Sequence, residues 1–334
     1  MTNRFKQSPS WNEQVRNALW GTLPTADDSS VGTDLVAWKK FQNLLYKSIT
    51  PSSPFTNDIV STYSLVYTVS NAYTGGVLST NGDIHFIPLS ATIGQKISAS
   101  GVVSTYSLVY TTATAYAGGV LAPNGDIHFV PFNANRGQKI NASGTVSTYS
   151  LVYTLSSAAY HGGVLSPNGD IHFVPRSAAV GQKINSSGTV STYSLVYTTG
   201  SAYAGGVLSP NGDIHFVPLS ADVGQKINAS GTVSTYSLVY TTAIAYVGGV
   251  LSPNGDIHFV PFNAAVGQKI DINGVVSTYS LVYTTTSAYQ GGVLAPNGDI
   301  HFIPASATTG QKISTLVSNP FESGICLSPW LNKL

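Results

Sequence analysis

Short apolar runs separated by turn sequences follow one another along most of the chain and predict β-strands. From Tyr203, the run Gly-Gly-Val-Leu precedes the turn Ser-Pro-Asn-Gly, and Asp-Ile-His-Phe-Val precedes Pro218. Proline presets φ and Asn-Gly tolerates a positive φ, so these tetrapeptides favour tight turns. Gly-Gln-Lys-Ile, the turn Asn-Ala-Ser-Gly and a β-branched and aromatic run from Thr232 to Tyr240 follow. The pattern therefore predicts four short antiparallel strands in one unit.

This unit occurs six times between about residues 59 and 314. The octapeptide Ser-Thr-Tyr-Ser-Leu-Val-Tyr-Thr begins at positions 43 or 44 residues apart, namely Ser61, Ser104, Ser147, Ser191, Ser234 and Ser277. Four strands in about 43 residues are typical of one blade of a β-propeller. The sequence therefore predicts an all-β, six-bladed β-propeller over residues 58–314.

The two ends of the repeat array predict how the propeller closes. A copy of the fourth strand at residues 59–66 precedes any complete unit, whereas the last unit departs from the pattern at Ser314 and lacks that strand. Pairing of residues 59–66 with the last unit would supply its fourth strand and close the ring. An open solenoid would need dedicated capping units instead, and the repeat pattern contains none.

Residues 1–57 carry a different pattern and predict an N-terminal α-helical arm. Apolar residues recur at helical spacing in two segments, one that starts near Ser10 and one from about Thr33 to Ser48. Two short helices cannot bury a core of their own, so the arm packs on its own propeller or on another protein, and both alternatives stay open. The candidate anchoring residues are Trp11, Trp20, Trp38, Phe41 and Leu45. The remaining residues, 315–334, are a C-terminal tail.

The composition excludes several classes of partner. Lys and Arg number 15 against 14 Asp and Glu, and charged residues make up 9% of the chain. So neutral a chain has no electrostatic reason to bind nucleic acid or an anionic membrane. No apolar run reaches the roughly 18 residues of a membrane-spanning helix, and the first residues lack the apolar segment of a secretory signal. A single cysteine, Cys326, excludes a disulfide within the chain.

The repeated histidines are the first candidates for chemistry. One follows Asp-Ile in every unit: His85, His128, His172, His215, His258 and His301. A ring of metal ligands is one interpretation, but ligands must converge on one ion, whereas the blades of a propeller diverge. Buried histidines bonded to Ser, Thr or Tyr fit the repetition better, and one carboxylate per unit is too few for a calcium loop. No metal or cofactor is therefore predicted.

Differences between the units indicate candidate recognition positions. The residue before Gly-Gly varies, and these six entry positions are Thr74, Ala117, His161, Ala204, Val247 and Gln290. We expect them where the innermost strand of each blade enters the central channel. The residue after the proline of the second strand also varies, on a connecting loop. The tyrosine before each entry position, such as Tyr246, either offers a stacking platform to a sugar or fills the space between sheets.

The quoted unit resembles the NHL-type repeat of six-bladed propellers. The resemblance is carried by Gly-Gly-Val-Leu-Ser-Pro-Asn-Gly-Asp-Ile-His-Phe-Val-Pro followed by Gly-Gln-Lys-Ile-Asn-Ala-Ser-Gly, and it covers roughly three quarters of the chain. It implies a propeller fold, which hosts many unrelated activities. Units of the Gly-Val-Leu-Ala-Pro-Asn-Gly type also look like those of uncharacterised bacterial and phage proteins.

Near-identical repeats argue against catalysis, because an active site needs different groups that converge on one point. The ionisable residues that break the repeat are spread over units and loops: Arg136, His161, Arg176, Asp222 and Asp271. We therefore predict a non-enzymatic structural or binding protein, such as a tail, fibre or capsid-attached component of a phage virion, which the arm holds to other protein subunits. Its expected location is the virion, or otherwise the cytoplasm. The alternative is a multivalent, lectin-like propeller that binds surface glycans.

Overall fold

The computed structural model describes residues 62–155 and 157–314, which form 23 strands in six antiparallel sheets and no helix. Within this part of the chain, no helix is long and apolar enough to span a membrane. Each sheet is one repeat unit, and its strands follow one another in sequence order. The prediction of an all-β, six-bladed propeller is confirmed.

The first three blades comprise β1 (Tyr73–Leu78), β2 (Ile84–Pro88), β3 (Ile93–Ile97), β4 (Val103–Ser107); β5 (Tyr116–Leu121), β6 (Ile127–Pro131), β7 (Arg136–Ile140), β8 (Val146–Ser150); and β9 (Tyr160–Leu165), β10 (Ile171–Pro175), β11 (Val180–Ile184), β12 (Val190–Ser194). The last three comprise β13 (Tyr203–Leu208), β14 (Ile214–Pro218), β15 (Val223–Ile227), β16 (Val233–Ser237); β17 (Tyr246–Leu251), β18 (Ile257–Pro261), β19 (Val266–Ile270), β20 (Val276–Ser280); and β21 (Tyr289–Leu294), β22 (Asp299–Pro304), β23 (Lys312–Ser314).

The tight turns form as the tetrapeptides predict. In blade 4, the amide of Ser209 donates to the carbonyl of Asp213 over 2.8 Å, and the amide of Gly212 donates to the carbonyl of Ser209 over 3.0 Å. Gly212 has a φ of 88°, a left-handed conformation that glycine adopts without strain. The Asn211 side chain accepts the Asp213 amide at 3.0 Å and locks the turn.

The apolar core lies between consecutive blades. Val164 and Val174 of blade 3 form one buried cluster with Tyr203, Ile214 and Phe216 of blade 4, and the same grouping recurs along the array. The first strands lie beside one another at the inner side of the blades, since a Cβ placed on Gly118 would lie 3.1 Å from the Cα of Gly162. Each blade therefore depends on its neighbours for the burial of its faces.

A buried glutamine also joins each blade to the chain that arrives from the unit before it. In blade 4, Gln225 is fully buried, and its Oε1 accepts the backbone amides of Val196 at 2.9 Å and Tyr197 at 2.8 Å. We call this pair of bonds the glutamine latch. The acceptors of the other five latches are Gln95, Gln138, Gln182, Gln268 and Gln311.

The fourth strand is shorter than predicted, because the residues at its end take part in the glutamine latch. The sequence suggested one run from Thr232 to Tyr240, but β16 ends at Ser237. The residues after it leave the sheet, because the amides of Val239 and Tyr240 bond to Gln268 of the next blade at 2.9 and 2.8 Å.

The predicted ring closure by residues 59–66 is not what the structure shows. The sixth sheet has three strands, and the described part of the closing segment, residues 62–66, forms no strand. The amides of Val66 and Tyr67 instead bond to Gln95 of the first blade at 3.0 and 2.9 Å. The helical arm, with Trp11, Trp20, Trp38, Phe41 and Leu45, and the tail at residues 315–334 lie outside the described residues.

Candidate functional site

The six entry positions are the second residues of the first strands. Each follows a tyrosine that is fully buried in blades 2–6, and the ladder to the second strand is irregular there. Ala117 and Ala204 are buried, Thr74, His161 and Val247 are half-buried, and Gln290 is exposed. Their role in recognition stays a prediction.

The residue after each second strand joins the entry segment of the next blade. The carbonyl of Phe132, after β6, accepts the amide of Ala159 at 2.7 Å. The carbonyl of Arg176, after β10, likewise accepts the amide of Ala202 at 2.7 Å. These bonds place the variable loop residue of one blade beside the entry position of the next.

One such junction brings together side chains of different chemistry. The rings of Phe132 and His161 meet edge to face, with centroids 6.1 Å apart and an interplanar angle of 73°. The guanidinium carbon of Arg176 lies 5.6 Å from the centroid of the Phe132 ring, within the range of a cation–π contact. We call these three residues the His161 cluster. Sequence reasoning placed His161 and Arg176 among scattered residues, but Phe132 brings them into one site.

The His161 cluster holds unused hydrogen-bonding capacity. Nδ1 of His161 and Nε of Arg176 are buried and have no hydrogen-bond partner. In the described residues, the ion pairs join Lys to Asp within single blades, and Arg176 takes part in none of them. Polar atoms left unpaired in a protein interior are costly, and such atoms are common at sites that bind ligands or carry out chemistry.

Burial and charge keep His161 neutral. Desolvation lowers the pKa of its imidazole, and the positive charge of Arg176 lowers that pKa further. Desolvation also lowers the pKa of the Arg176 guanidinium. Arginine nevertheless stays charged at neutral pH because its ordinary pKa is so high. The cluster therefore combines a neutral proton acceptor with a cation on one aromatic ring.

The repeated histidines lie elsewhere, buried within the blades. His128 packs against the Tyr149 ring with centroids 5.5 Å apart, and its Nδ1 lies 3.3 Å from the tyrosine hydroxyl. His258 makes the same bond to Tyr279 at 3.4 Å, as predicted, but Nδ1 of His215 has no partner. Over residues 62–155 and 157–314, no three His, Cys, Asp or Glu residues are grouped so that they could hold a metal ion.

The repeated aspartates and lysines pair within each blade. Lys226 Nζ lies 2.7 Å from Asp213 Oδ2, and the other five pairs have distances of 2.6 or 2.7 Å. The ammonium group of each lysine is therefore held by a largely buried carboxylate. A groove of about 330 Å³ between blades 2 and 3 is lined by the Asp126–Lys139 pair, by His128 and by the turn at Asn185–Gly188.

The tyrosines proposed as sugar platforms are unsuited to that role in five blades. Tyr116, Tyr160, Tyr203, Tyr246 and Tyr289 are 0% exposed. The hydroxyl of Tyr246 donates to the carbonyl of Val266 at 3.0 Å, and its ring packs on Phe259 with centroids 5.5 Å apart. A ring enclosed on both faces cannot stack on a sugar, so these side chains are core residues.

Three solved structures show the same fold over most of this chain. Virginiamycin B lyase from Staphylococcus aureus is similar over 75% of this chain and 86% of its own, with 18% identity and a TM-score of 0.63. A streptogramin B lyase is similar over 72% and 78%, with 22% identity and a TM-score of 0.61. A catalytically inactive histidine-to-alanine variant of the staphylococcal lyase with quinupristin is similar over 75% and 88%, with 19% identity and a TM-score of 0.61. Neither a protein-family model nor a curated protein matches the sequence.

These structures overturn the prediction of a non-enzymatic structural or glycan-binding protein. The similar propellers are enzymes, so a repeated propeller of this kind is no argument against catalysis. The prediction relied on the near-identity of the repeats. It overlooked that His161 and Arg176, two residues of one blade that break the repeat, are sufficient to place different chemical groups side by side. At 18–22% identity the likeness shows the fold alone. The NHL-type resemblance stays a prediction.

The six entry positions that we predicted as recognition residues do not include Phe132 and Arg176. Both residues stand directly after the proline of a second strand, a position that varies between units just as the entry positions do. The sequence does not show that this loop residue lies beside the entry residue of the next blade, because that contact arises only from packing between blades.

Proposed function

We propose that this chain is an enzyme whose active site is the His161 cluster, with His161 as a general base and Arg176 as the group that binds a substrate anion. The observation that carries the proposal is the juxtaposition itself: an imidazole and a guanidinium, each with a buried unpaired nitrogen, meet on the ring of Phe132. At the other junctions between blades the entry residue is Ala117, Ala204, Val247 or Gln290, none of which can act as a base.

The two groups suit proton abstraction next to a carbonyl or carboxylate. An imidazole that is neutral at neutral pH is free to accept a proton. A guanidinium binds carboxylate or enolate oxygens through two parallel N–H donors. As a half-buried group beside an aromatic face, Arg176 stabilises negative charge more strongly than it would in water.

The reaction class that we propose is elimination. His161 takes the proton from the carbon beside the carbonyl, and the electron pair of that C–H bond forms a C=C bond to the next carbon. The bond from that carbon to the leaving group breaks, the leaving group departs with the electron pair, and the imidazolium returns a proton to it. The lyase activity named for the propellers of similar fold supports this class, as does the loss of activity when one of them loses a histidine.

The test is turnover of a panel of substrates with a leaving group β to a carbonyl, with quinupristin included. Products are followed by mass spectrometry and by the ultraviolet absorbance of a new C=C bond. Elimination within a cyclic ester opens the ring without a change of mass, whereas hydrolysis adds one water. We expect turnover by the full chain and losses of about 100-fold or more in kcat/KM for His161→Ala and Arg176→Ala.

Matched variants at other entry positions separate chemistry from folding. Val247→Ala and Gln290→Ala change the same strand position in other blades and are expected to retain the parent activity. Absence of turnover across the panel, or full activity of both His161→Ala and Arg176→Ala, would contradict the proposal.

A further inference from the structure

The first blade presents an apolar face that nothing in the described chain covers. Ile84 is 39% exposed, whereas its counterparts Ile127, Ile171, Ile214, Ile257 and Ile300 are 0–1% exposed. Leu78 is 61% exposed, and Tyr73 and Phe86, whose counterparts are fully or almost fully buried, are half-buried. We call this surface the leading face, because in every other blade it packs against the preceding blade.

The last blade presents the opposite surface, which in every other blade packs against the following blade. Val293 is 55% exposed and Ile303 is 42% exposed, whereas the counterparts in blades 2–5 are 8–9% and 0% exposed. His301 is also exposed, although the other five repeated histidines are 4–5% exposed. We call this surface the trailing face.

The interior of the molecule shows what each face binds. Between blades 1 and 2, Ile87 of the trailing side shares a buried cluster with Ile127, Phe129 and Tyr116 of the leading side. A Cβ on Gly119 would lie 2.4 Å from Ile87, so the inner strands pack closely there. The units repeat these residues, and the trailing face of blade 6 is therefore complementary to the leading face of blade 1.

The strand that the last blade lacks also corresponds to a segment that precedes the first blade. Blade 6 lacks a fourth strand in the described residues, and the described residues 62–64 before blade 1 belong to a copy of the fourth-strand octapeptide. That segment leads into the latch of Val66 and Tyr67 on Gln95, just as β4 leads into the latch on Gln138. A three-stranded blade on the leading face would lie beside residues that carry the sequence of its missing strand.

We propose that a second copy of this chain occupies the leading face, with its trailing face packed head to tail against blade 1. Among the described residues of one chain, the five interfaces between consecutive blades are buried while both end faces stay uncovered, so the last blade does not pack on the leading face of its own chain. The contact is heterologous, which means that each copy keeps one free face and can bind a further copy until the assembly closes.

The first experiment measures the mass of the full chain by light scattering over a range of concentrations. We expect the mean mass to rise to at least that of a dimer, and Ile303→Asp or Ile84→Asp to return it to that of a monomer. Both side chains are partly exposed, so the substitutions leave the fold intact. The matched control is Val196→Asp, which should assemble like the parent. Val196 lies in the middle of the array, and its exposure of 62% equals that of its counterparts Val109, Val152 and Val239 at 60–61%.

Cross-linking then distinguishes a second copy from closure of one chain on itself. In a Cys326→Ser background, chains with Ile84→Cys are mixed with chains with Ile303→Cys and treated with a short bismaleimide. We expect covalent dimers from the mixture and at least several-fold less from either variant alone. A mass that stays monomeric at every concentration, assembly that survives Ile303→Asp, or an intrachain cross-link in a monomeric double variant would overturn the proposal.

Discussion

At the scale of single residues, this propeller uses one residue type for two purposes. The repeated histidines, such as His215, are buried within a blade beside a tyrosine ring, whereas His161 lies at an entry position beside a cation. The same imidazole is therefore a core group in one place and an available base in the other. The difference comes from the position of each histidine in the repeat and from the neighbours that the fold supplies there.

The first prediction concerns the charge of Arg176. Arg176→Met keeps most of the side-chain volume but removes the positive charge that lowers the pKa of His161. The pKa of His161 should rise towards its ordinary value without reaching it, because desolvation, the larger cause, remains. An NMR titration of the imidazole, assigned by its loss in His161→Gln, measures this change. Arg136→Met, at an exposed residue of β7, should leave the pKa unchanged; an unaltered titration in Arg176→Met would show that the two side chains do not interact.

The second prediction concerns stability in acid. Burial lowers the pKa of His215 from 6.5 to about 4, and the same value holds for His128, His172 and His258. Their contribution to folding is present above pH 6.5 and is lost as the pH falls towards 4, because the unfolded chain binds the protons first. Each contributes on the order of 3 kcal/mol at most to this loss, so the urea midpoint should fall steeply over that range.

A single substitution tests this origin of the acid sensitivity. His215→Gln should reduce the difference in unfolding free energy between pH 7 and pH 4, because one buried proton acceptor is gone. His301→Gln is the matched control, because His301 holds the same strand position but is exposed in the single chain. At concentrations low enough to keep the chain monomeric, it should leave the difference nearly unchanged. Equal effects of the two variants would mean that burial of the histidines is not the cause.

At the scale of strands and blades, the sequence predicts the strands and turns within a unit but not the contacts between residues of different units. The turn residues and the period of the apolar runs were sufficient for the first three strands of each blade. The fourth strand was drawn too long, because the octapeptide continues unbroken from β16 into residues that bond to Gln268. The His161 cluster was missed for the same reason, since its three residues come from two units and meet only through packing between blades.

The third prediction follows from the glutamine latch. Gln225→Leu keeps an apolar side chain of similar size but leaves the amides of Val196 and Tyr197 without their acceptor. Each lost partner of a part-buried amide costs about 1–3 kcal/mol, so the free energy of unfolding should fall by roughly 2–5 kcal/mol. Gln311→Leu is the control, because Gln311 is half-buried and the amide of Val282 that it accepts lies in an exposed residue. Chemical denaturation of both variants should give a clearly smaller loss for the control; equal losses would contradict the latch as a source of stability.

At the scale of the whole propeller unit, the middle blades are more stable than the first and last blades, although all six have nearly the same sequence. Among residues 62–155 and 157–314, each inner blade buries two faces, while blades 1 and 6 bury one each and expose residues such as Ile84 and Ile303. In such arrays, stability is the sum of the contribution of each unit and of the interfaces with its neighbours. The end blades therefore open at lower free energy than the middle ones.

The fourth prediction is a gradient of hydrogen exchange along the chain. At low protein concentration, amides of β1, β2, β22 and β23 should exchange fastest among the strands and those of β10 and β14 slowest, because local opening follows the loss of buried contacts. Raising the concentration should slow exchange in the end blades and leave the middle unchanged, since a docked copy covers the leading and trailing faces. In Ile303→Asp that concentration effect should disappear, whereas Val196→Asp should keep it. Uniform protection from blade 1 to blade 6 at low concentration would mean that the ends are already covered within one chain.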